Sequence, residues 1–148
     1  MSTRRRAREI ALQVLYQLDL DPGDPKKVLS LHWENFQPSE QAREFCVRLV
    51  EGVLQNGKEI DRLIEKHSEN WTLKRMAVVD RNILRLAAFE LRYCPDIPFK
   101  VTLNEAVELA KKFGADDSGA FINGILDRVH TLLNQTVKDD PDIPWAKT

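Results

Sequence analysis

The sequence predicts an all-α protein, a seven-helix bundle around a shared core. Three observations carry this. Apolar residues recur at spacings of three and four over almost every segment, the period of an amphipathic helix. No stretch alternates apolar and polar residues as a half-buried strand would. The six glycines and seven prolines among 148 residues fall mostly at breaks between periodic segments.

The first helix is expected from about Thr3 to Leu20, capped by Ser2 or Thr3, with Ala7, Ala11, Val14, Leu15 and Leu18 facing inward. Asp21-Pro22-Gly23-Asp24-Pro25 ends it and opens a second, with Asp24 as cap and Pro25 in the first turn. That helix carries Val28, Leu29, Trp33 and Phe36. Pro38-Ser39 begins a third, with Ala42, Phe45, Cys46, Leu49, Val50 and Val53 on one side, and Asn56-Gly57 stops it. A short fourth helix turns Ile60, Leu63 and Ile64 inward. The fifth, about Leu73 to Tyr93, is apolar over a wide arc, the mark of a central helix with neighbours on several sides. Pro95 and Pro98 bracket a connector, and Thr102-Leu103-Asn104-Glu105 reads as a capping box for the sixth. The seventh starts around Asp116-Asp117-Ser118. Breaks divide the helices into groups over about 3–57 and 58–135 within one domain, 1–135. The remaining 136–148, with Pro141 and Pro144, reads as a loose tail.

Composition narrows the function. The formal net charge is −1, apolar content 43% and charged content 30%, as in a soluble globular protein. There is no apolar run long enough for a membrane span and no secretory signal pattern. Cys46 and Cys94 are not spaced as a CxxC pair, which predicts reduced thiols and a cytoplasmic setting. His32, His67 and His130 lie on separate helices without metal-ligand spacing, and no phosphate-binding glycine loop occurs. The residues therefore support neither an enzyme nor a cofactor.

Against that neutral background, Arg4, Arg5, Arg6 and Arg8 concentrate four of the 22 Lys+Arg at the start of one helix. Cations there oppose the helix dipole, at about 0.3–1 kcal/mol each before salt screening. A polyanion would reverse that cost. Guanidinium groups bind phosphate bidentately and stack on bases. The patch is equally readable as a solvated face with Glu9 neutralising Arg5 or Arg6, or as a surface for an acidic protein. The start of the seventh helix, Gly114 to Gly124, combines glycines with Phe121 at the border of the buried face. Phe121 is either a core residue or a platform for an unpaired base. Gly119 and Gly124 inside one helix suggest close approach of another helix or of a ligand. On the fifth helix, Asp80 lies among Lys74, Arg75, Arg81 and Arg85, where an ion pair to a neighbouring helix is the default.

The run Val78-Val79-Asp80-Arg81-Asn82-Ile83-Leu84-Arg85-Leu86-Ala87-Ala88-Phe89-Glu90-Leu91 resembles the signature of the NusB family of bacterial transcription antitermination factors. So do Ile97 to Lys111, the block from Phe113 to Asp127, and the opening Arg4 to Arg8 followed by Ala11 to Tyr16. The resemblance implies two perpendicular three-helix groups and no catalysis. It implies binding to single-stranded boxA RNA of ribosomal RNA leaders together with the ribosomal protein NusE, in an antitermination complex on RNA polymerase. By that resemblance Arg4, Arg5, Arg6 and Arg8 contact RNA, Phe121 sits at the RNA surface with Asp117 and Ser118 near it, and Tyr16 and Asp80 match NusE-interface positions. Some family members form a homodimer through the RNA-binding side. Gly119-Ala120 departs from a pair that often carries a basic residue. Two rival readings are a protein–protein adaptor without direct RNA binding, and an RNA-binding module like that of ribosomal RNA cytosine methyltransferases. The chain's length, with no cofactor domain, speaks against the latter. About five neutralised phosphates on single-stranded RNA predict a slope of log K against log[salt] of about −3.5.

Overall fold

The computed structural model describes residues 2–69 and 71–139, with side chains as far as Asn134. Its helices are α1 (Thr3–Leu20), α2 (Pro25–Phe36), α3 (Glu40–Gln55), α4 (Gly57–His67), α5 (Val78–Tyr93), α6 (Phe99–Phe113) and α7 (Ser118–Asp139). A 3-10 turn, Leu73–Arg75, precedes α5, and the described residues contain no strand. The first three helices begin where local chemistry predicts. Ser2 Oγ accepts the Arg5 amide at 3.1 Å, Asp24 accepts the Lys26 amide at 3.0 Å with Pro25 in the first turn, and Ser39 Oγ accepts the Ala42 amide at 3.2 Å.

The α5 helix is central: it packs against α1, α3, α4, α6 and α7. Ile83, Leu84, Leu86 and Ala88 are buried there, with Ile10, Val14, Leu49, Ile60, Ile64, Ile122 and Leu126 from the surrounding helices. Each such Leu, Ile or Val contributes about 1.5–3 kcal/mol relative to exposure. The α1 helix is covered more widely than its stripe suggested, since Ile10 and Leu12 are also buried. Both cysteines are free and buried, and burial pushes the thiols up, to about 12 for Cys46 and about 11 for Cys94.

Four expectations change. First, α5 begins at Val78 rather than Leu73. The Leu73 carbonyl, which a continuous helix would offer to residue 77, accepts instead from the Met76 amide and from Arg81 Nη1. Leu73 and Met76 are still buried, but on the turn. Second, α6 starts at Phe99 because the Pro98 carbonyl already accepts the Val101 and Thr102 amides. Thr102 is therefore not a cap; it lies inside the helix and points into the core. Third, α7 runs on to Asp139, beyond the expected start of the loose tail at 136; positions 140–148 lie outside the described residues. Fourth, neither Gly119 nor Gly124 is required by the approach of another helix. A Cβ at Gly119 would stand 3.7 Å from Val107 Cγ1, an ordinary contact, and one at Gly124 would meet nothing within 4 Å. The tightly packed glycines are Gly52 on α3, where a Cβ would run into the Phe89 ring, and Gly114 after α6, where it would meet Ser118.

Candidate nucleic-acid interface

The four arginines of α1 occupy four different environments. Arg8 is buried, and its Nε and Nη2 donate to the two Glu90 carboxylate oxygens at 2.9 and 2.8 Å. Thr102 Oγ1 donates to the same Glu90 at 3.0 Å. This overturns the expectation that Arg8 faces phosphate: position 8 falls on the covered side of α1, where a charge survives only if paired and hydrogen-bonded. Arg5 is exposed and forms a fork with Glu105 on α6 at 3.0 and 3.2 Å, and that side-chain bond raises its pKa. Arg4 lies over the Phe45 ring at 4.7 Å, with Asp96 3.6 Å away. Arg6 lies over the Phe36 ring at 4.9 Å, donates to the Phe36 carbonyl at 3.5 Å, and has no carboxylate partner among the described residues. Glu9 pairs with Lys112 on α6 rather than with Arg5 or Arg6.

Arg4, Arg5 and Arg6 thus form a cationic edge, Arg4 and Arg5 exposed and Arg6 half-buried, with Arg5 on α6, Arg4 over α3 and Arg6 over α2. The start of α7 lies against α6, with Gly119 facing Val107. There Ser118 is buried and its Oγ accepts the Ala115 amide at 2.9 Å, closing the turn that leads into the helix. Its expected place beside RNA becomes a structural one, because Gly114 packs directly on it. Asp116 and Asp117 are exposed. Phe121 is partly buried against the core, as its border position predicts. Its edge meets Trp71 with centroids 6.0 Å apart and planes at 76°. Trp71, 49% exposed, went unnoticed in the sequence because it lies in a non-periodic connector.

Of the two residues matched to a protein partner, Tyr16 lines a groove and Asp80 does not. Tyr16 is 38% exposed and, with Leu12, Leu20, Val79 and Phe113, lines an open apolar groove of about 590 Å³. Asp80 adjoins Val79 in the first turn of α5, where a carboxylate suits the helix dipole. Its Oδ1 is buried without a hydrogen-bond partner, and the expected ion pair to a neighbouring helix does not form among the described residues. The arginines around it turn to Asp19 of α1 instead. Arg81 donates to both Asp19 oxygens at 2.7 and 2.9 Å, Asn82 at 2.9 Å and Arg85 at 3.1 Å, while Arg85 also reaches Asp61 of α4 at 2.9 Å. Burial alone would raise the Asp19 carboxyl; the bonds from Arg81 and Asn82 and the charge of Arg85 outweigh it and hold the group below the usual aspartate range.

This is an all-α binding scaffold, whose exposed chemistry is a cationic edge, an aromatic pair and an apolar groove. Among the described residues no His, Cys, Asp or Glu side chains gather as a metal site, and no helix is long and apolar enough to cross a membrane. The sequence matches the NusB family over residues 5–131. It is 55% identical over 141 residues to the transcription antitermination protein NusB of Geotalea uraniireducens, covering 90% of this chain and 97% of that one. With the same-named protein of Myxococcus xanthus it shares 51% over 139 residues, 91% and 99% of the two chains. Among solved structures it is similar to NusB of T. maritima, with a TM-score of 0.81, 40% identity, and 86% and 90% coverage. It is also similar to a chain in a crystal structure of antitermination factors NusB and NusE in complex with dsRNA, with a TM-score of 0.82, 31% identity, and 89% and 98% coverage. The chain belongs to the NusB family.

Proposed function

We propose that this protein is a noncatalytic, cytoplasmic transcription antitermination factor that binds single-stranded boxA RNA of ribosomal RNA leaders together with NusE, within an antitermination complex on RNA polymerase. The observation that carries this reading is that α1 bears both surfaces. Arg4, Arg5 and Arg6 stand exposed or half-exposed at its start, and Tyr16 lines an apolar groove further along it. An RNA on the first and a protein in the second would share one rigid element. The NusB–NusE–dsRNA crystal structure supports the choice of both partners. Arg6, without a carboxylate partner among the described residues, and Arg4 and Arg5, whose ion pairs are solvent-exposed, supply phosphate contacts. Phe121 offers a ring to an unstacked base, with Asp117 beside it as a hydrogen-bond acceptor.

The adaptor reading draws on the same Arg5–Glu105 fork, which shows the edge accepting a carboxylate. A gel shift with boxA-like RNA, with and without NusE, separates the two. The RNA-binding reading expects a shift by this protein that NusE strengthens, and loss of the shift in Arg6→Ala. NusE binding with no RNA shift in either condition favours the adaptor.

A further inference from the structure

The three arginines of the α1 edge are held to different degrees. Arg5 is gripped: its Nε and Nη2 donate to the two Glu105 oxygens at 3.0 and 3.2 Å, which uses one whole side of the guanidinium. Arg4 has a looser contact. Asp96 stands 3.6 Å from it, is itself exposed, and already accepts a hydrogen bond from Arg48 at 3.3 Å. Arg6 has no carboxylate partner among the described residues. The two ends of the Arg5–Glu105 pair also differ in freedom. The Glu105 side chain is 15% exposed and stands in the middle of α6, while that of Arg5 is 46% exposed in the first turn of α1. Glu105 is therefore the fixed end and Arg5 the end that can swing away. Glu108, on the same helix, faces Lys111 at 3.5 Å and makes no hydrogen bond to Arg5.

We propose that Glu105 is an intramolecular competitor of RNA phosphate: it occupies the Arg5 fork in the free protein and must release it before Arg5 can take a phosphate bidentately. Carboxylate and phosphate present the same pair of oxygens to Nε and Nη2, so the fork holds one of them at a time. Two costs oppose the exchange. The Arg5–Glu105 bonds are lost, and Glu105, fixed on α6, stays behind as an unpaired anion beside the incoming phosphate. Arg6 gives up no carboxylate and engages without exchange. Arg5 then adds its contact to an RNA already held nearby, where the high local concentration of phosphate offsets the cost of opening the fork. Glu105 thereby sets how tightly the edge holds a polyanion. This role rests on the RNA-binding reading and supplies the residue that restrains it.

The test measures the affinity of the full chain, with NusE, for labelled boxA RNA by fluorescence anisotropy. The proteins are wild type, Glu105→Gln, Glu108→Gln, Arg5→Ala and Arg5→Ala with Glu105→Gln. Glu105→Gln keeps the shape of the side chain and removes its charge. It is expected to bind RNA about two- to fivefold more tightly, the weight of one exposed ion pair. Glu108→Gln makes the same change of net charge with the fork intact and should stay close to wild type. In the Arg5→Ala background, Glu105→Gln should change little, because the competitor has lost the group it competes for. A second readout needs no variant: the Arg5 Nε–H resonance of wild type should shift as RNA is added, while that of Arg8, on Glu90, stays in place. If Glu105→Gln binds RNA equally or more weakly while wild type binds, Glu105 is indifferent or orients Arg5; the inference falls and the RNA-binding reading stands. If Glu108→Gln tightens binding as much, or the gain persists without Arg5, the effect is one of overall charge and the inference also falls. An Arg5 resonance that ignores bound RNA overturns it as well. If neither wild type nor Glu105→Gln binds RNA, the RNA-binding reading itself fails.

Discussion

The Arg8 guanidinium grips the Glu90 carboxylate through two hydrogen bonds, at 2.9 and 2.8 Å, inside the contact between α1 and α5. Both side chains are almost wholly buried, and Thr102 supplies a third donor to the same carboxylate. The pair therefore joins α1, α5 and α6 at one point. Removing one partner leaves the other charged and unpaired, so Arg8→Ala should destabilise the protein by about 3–5 kcal/mol. Replacing both, as Arg8→Met with Glu90→Leu, should recover most of that loss. Urea unfolding of the three proteins checks this; a single variant within 1 kcal/mol or so of wild type contradicts it.

With Arg8 committed to Glu90, one phosphate contact leaves the salt dependence expected from the sequence. About four contacts on single-stranded RNA give a slope of log K against log[salt] of about −2.8, rather than about −3.5. Titrations of boxA RNA across salt concentrations read it directly, and a flat dependence would remove phosphate binding altogether.

Arg5→Ala with Arg6→Ala should weaken RNA binding while leaving the melting temperature close to wild type. Arg5 is solvent-exposed, and its bond to Glu105 offsets an unfavourable position against the α1 dipole. A double variant that melts early and binds RNA normally would make these arginines structural.

Gly52 and Gly124 should respond in opposite directions to alanine. At Gly52 the new methyl meets the Phe89 ring, itself stacked on Tyr93 with centroids 5.4 Å apart, so overpacking of about 1–3 kcal/mol outweighs the gain in helix propensity. At Gly124 nothing opposes that gain, which is up to about 0.8–1 kcal/mol. Thermal melts of the two variants, moving down and up respectively, are the check.

Acid should weaken the link between α1 and α5. The Asp19 pKa is lower in the folded chain than in the unfolded one, so the unfolded state binds more protons and stability rises with pH. The contribution is complete above the unfolded aspartate pKa of about 4 and fades as pH falls through the folded value. Asp19→Asn should flatten this part of the stability profile while lowering stability at neutral pH. His67 and His130 act higher. Burial lowers both pKa values, so protonation near pH 6.5 or so and below favours the unfolded chain and stability declines there first.

What the sequence alone determined is what depends on neighbours along the chain. The seven helices follow from apolar periodicity, and the starts of α1, α2 and α3 follow from Ser2, Asp24 and Ser39, whose side chains bond amides two or three residues on. The cationic edge and the border position of Phe121 were legible for the same reason: each depends on helical phase. The family blocks were legible as contiguous residues.

Tertiary structure decided everything that depends on a distant partner. Arg8 looked like its neighbours until Glu90, 82 residues away, claimed it. The basic cluster on α5 turned out to grip Asp19, which no local pattern marks. Thr102 left its capping box because Pro98 had already started the helix, and Trp71 found its packing partner only when α7 brought Phe121 against it. Periodicity says which face of a helix is buried; which charge on that face finds its counter-charge, and which stays free for a phosphate, is settled only when the helices pack and desolvation makes pairing obligatory.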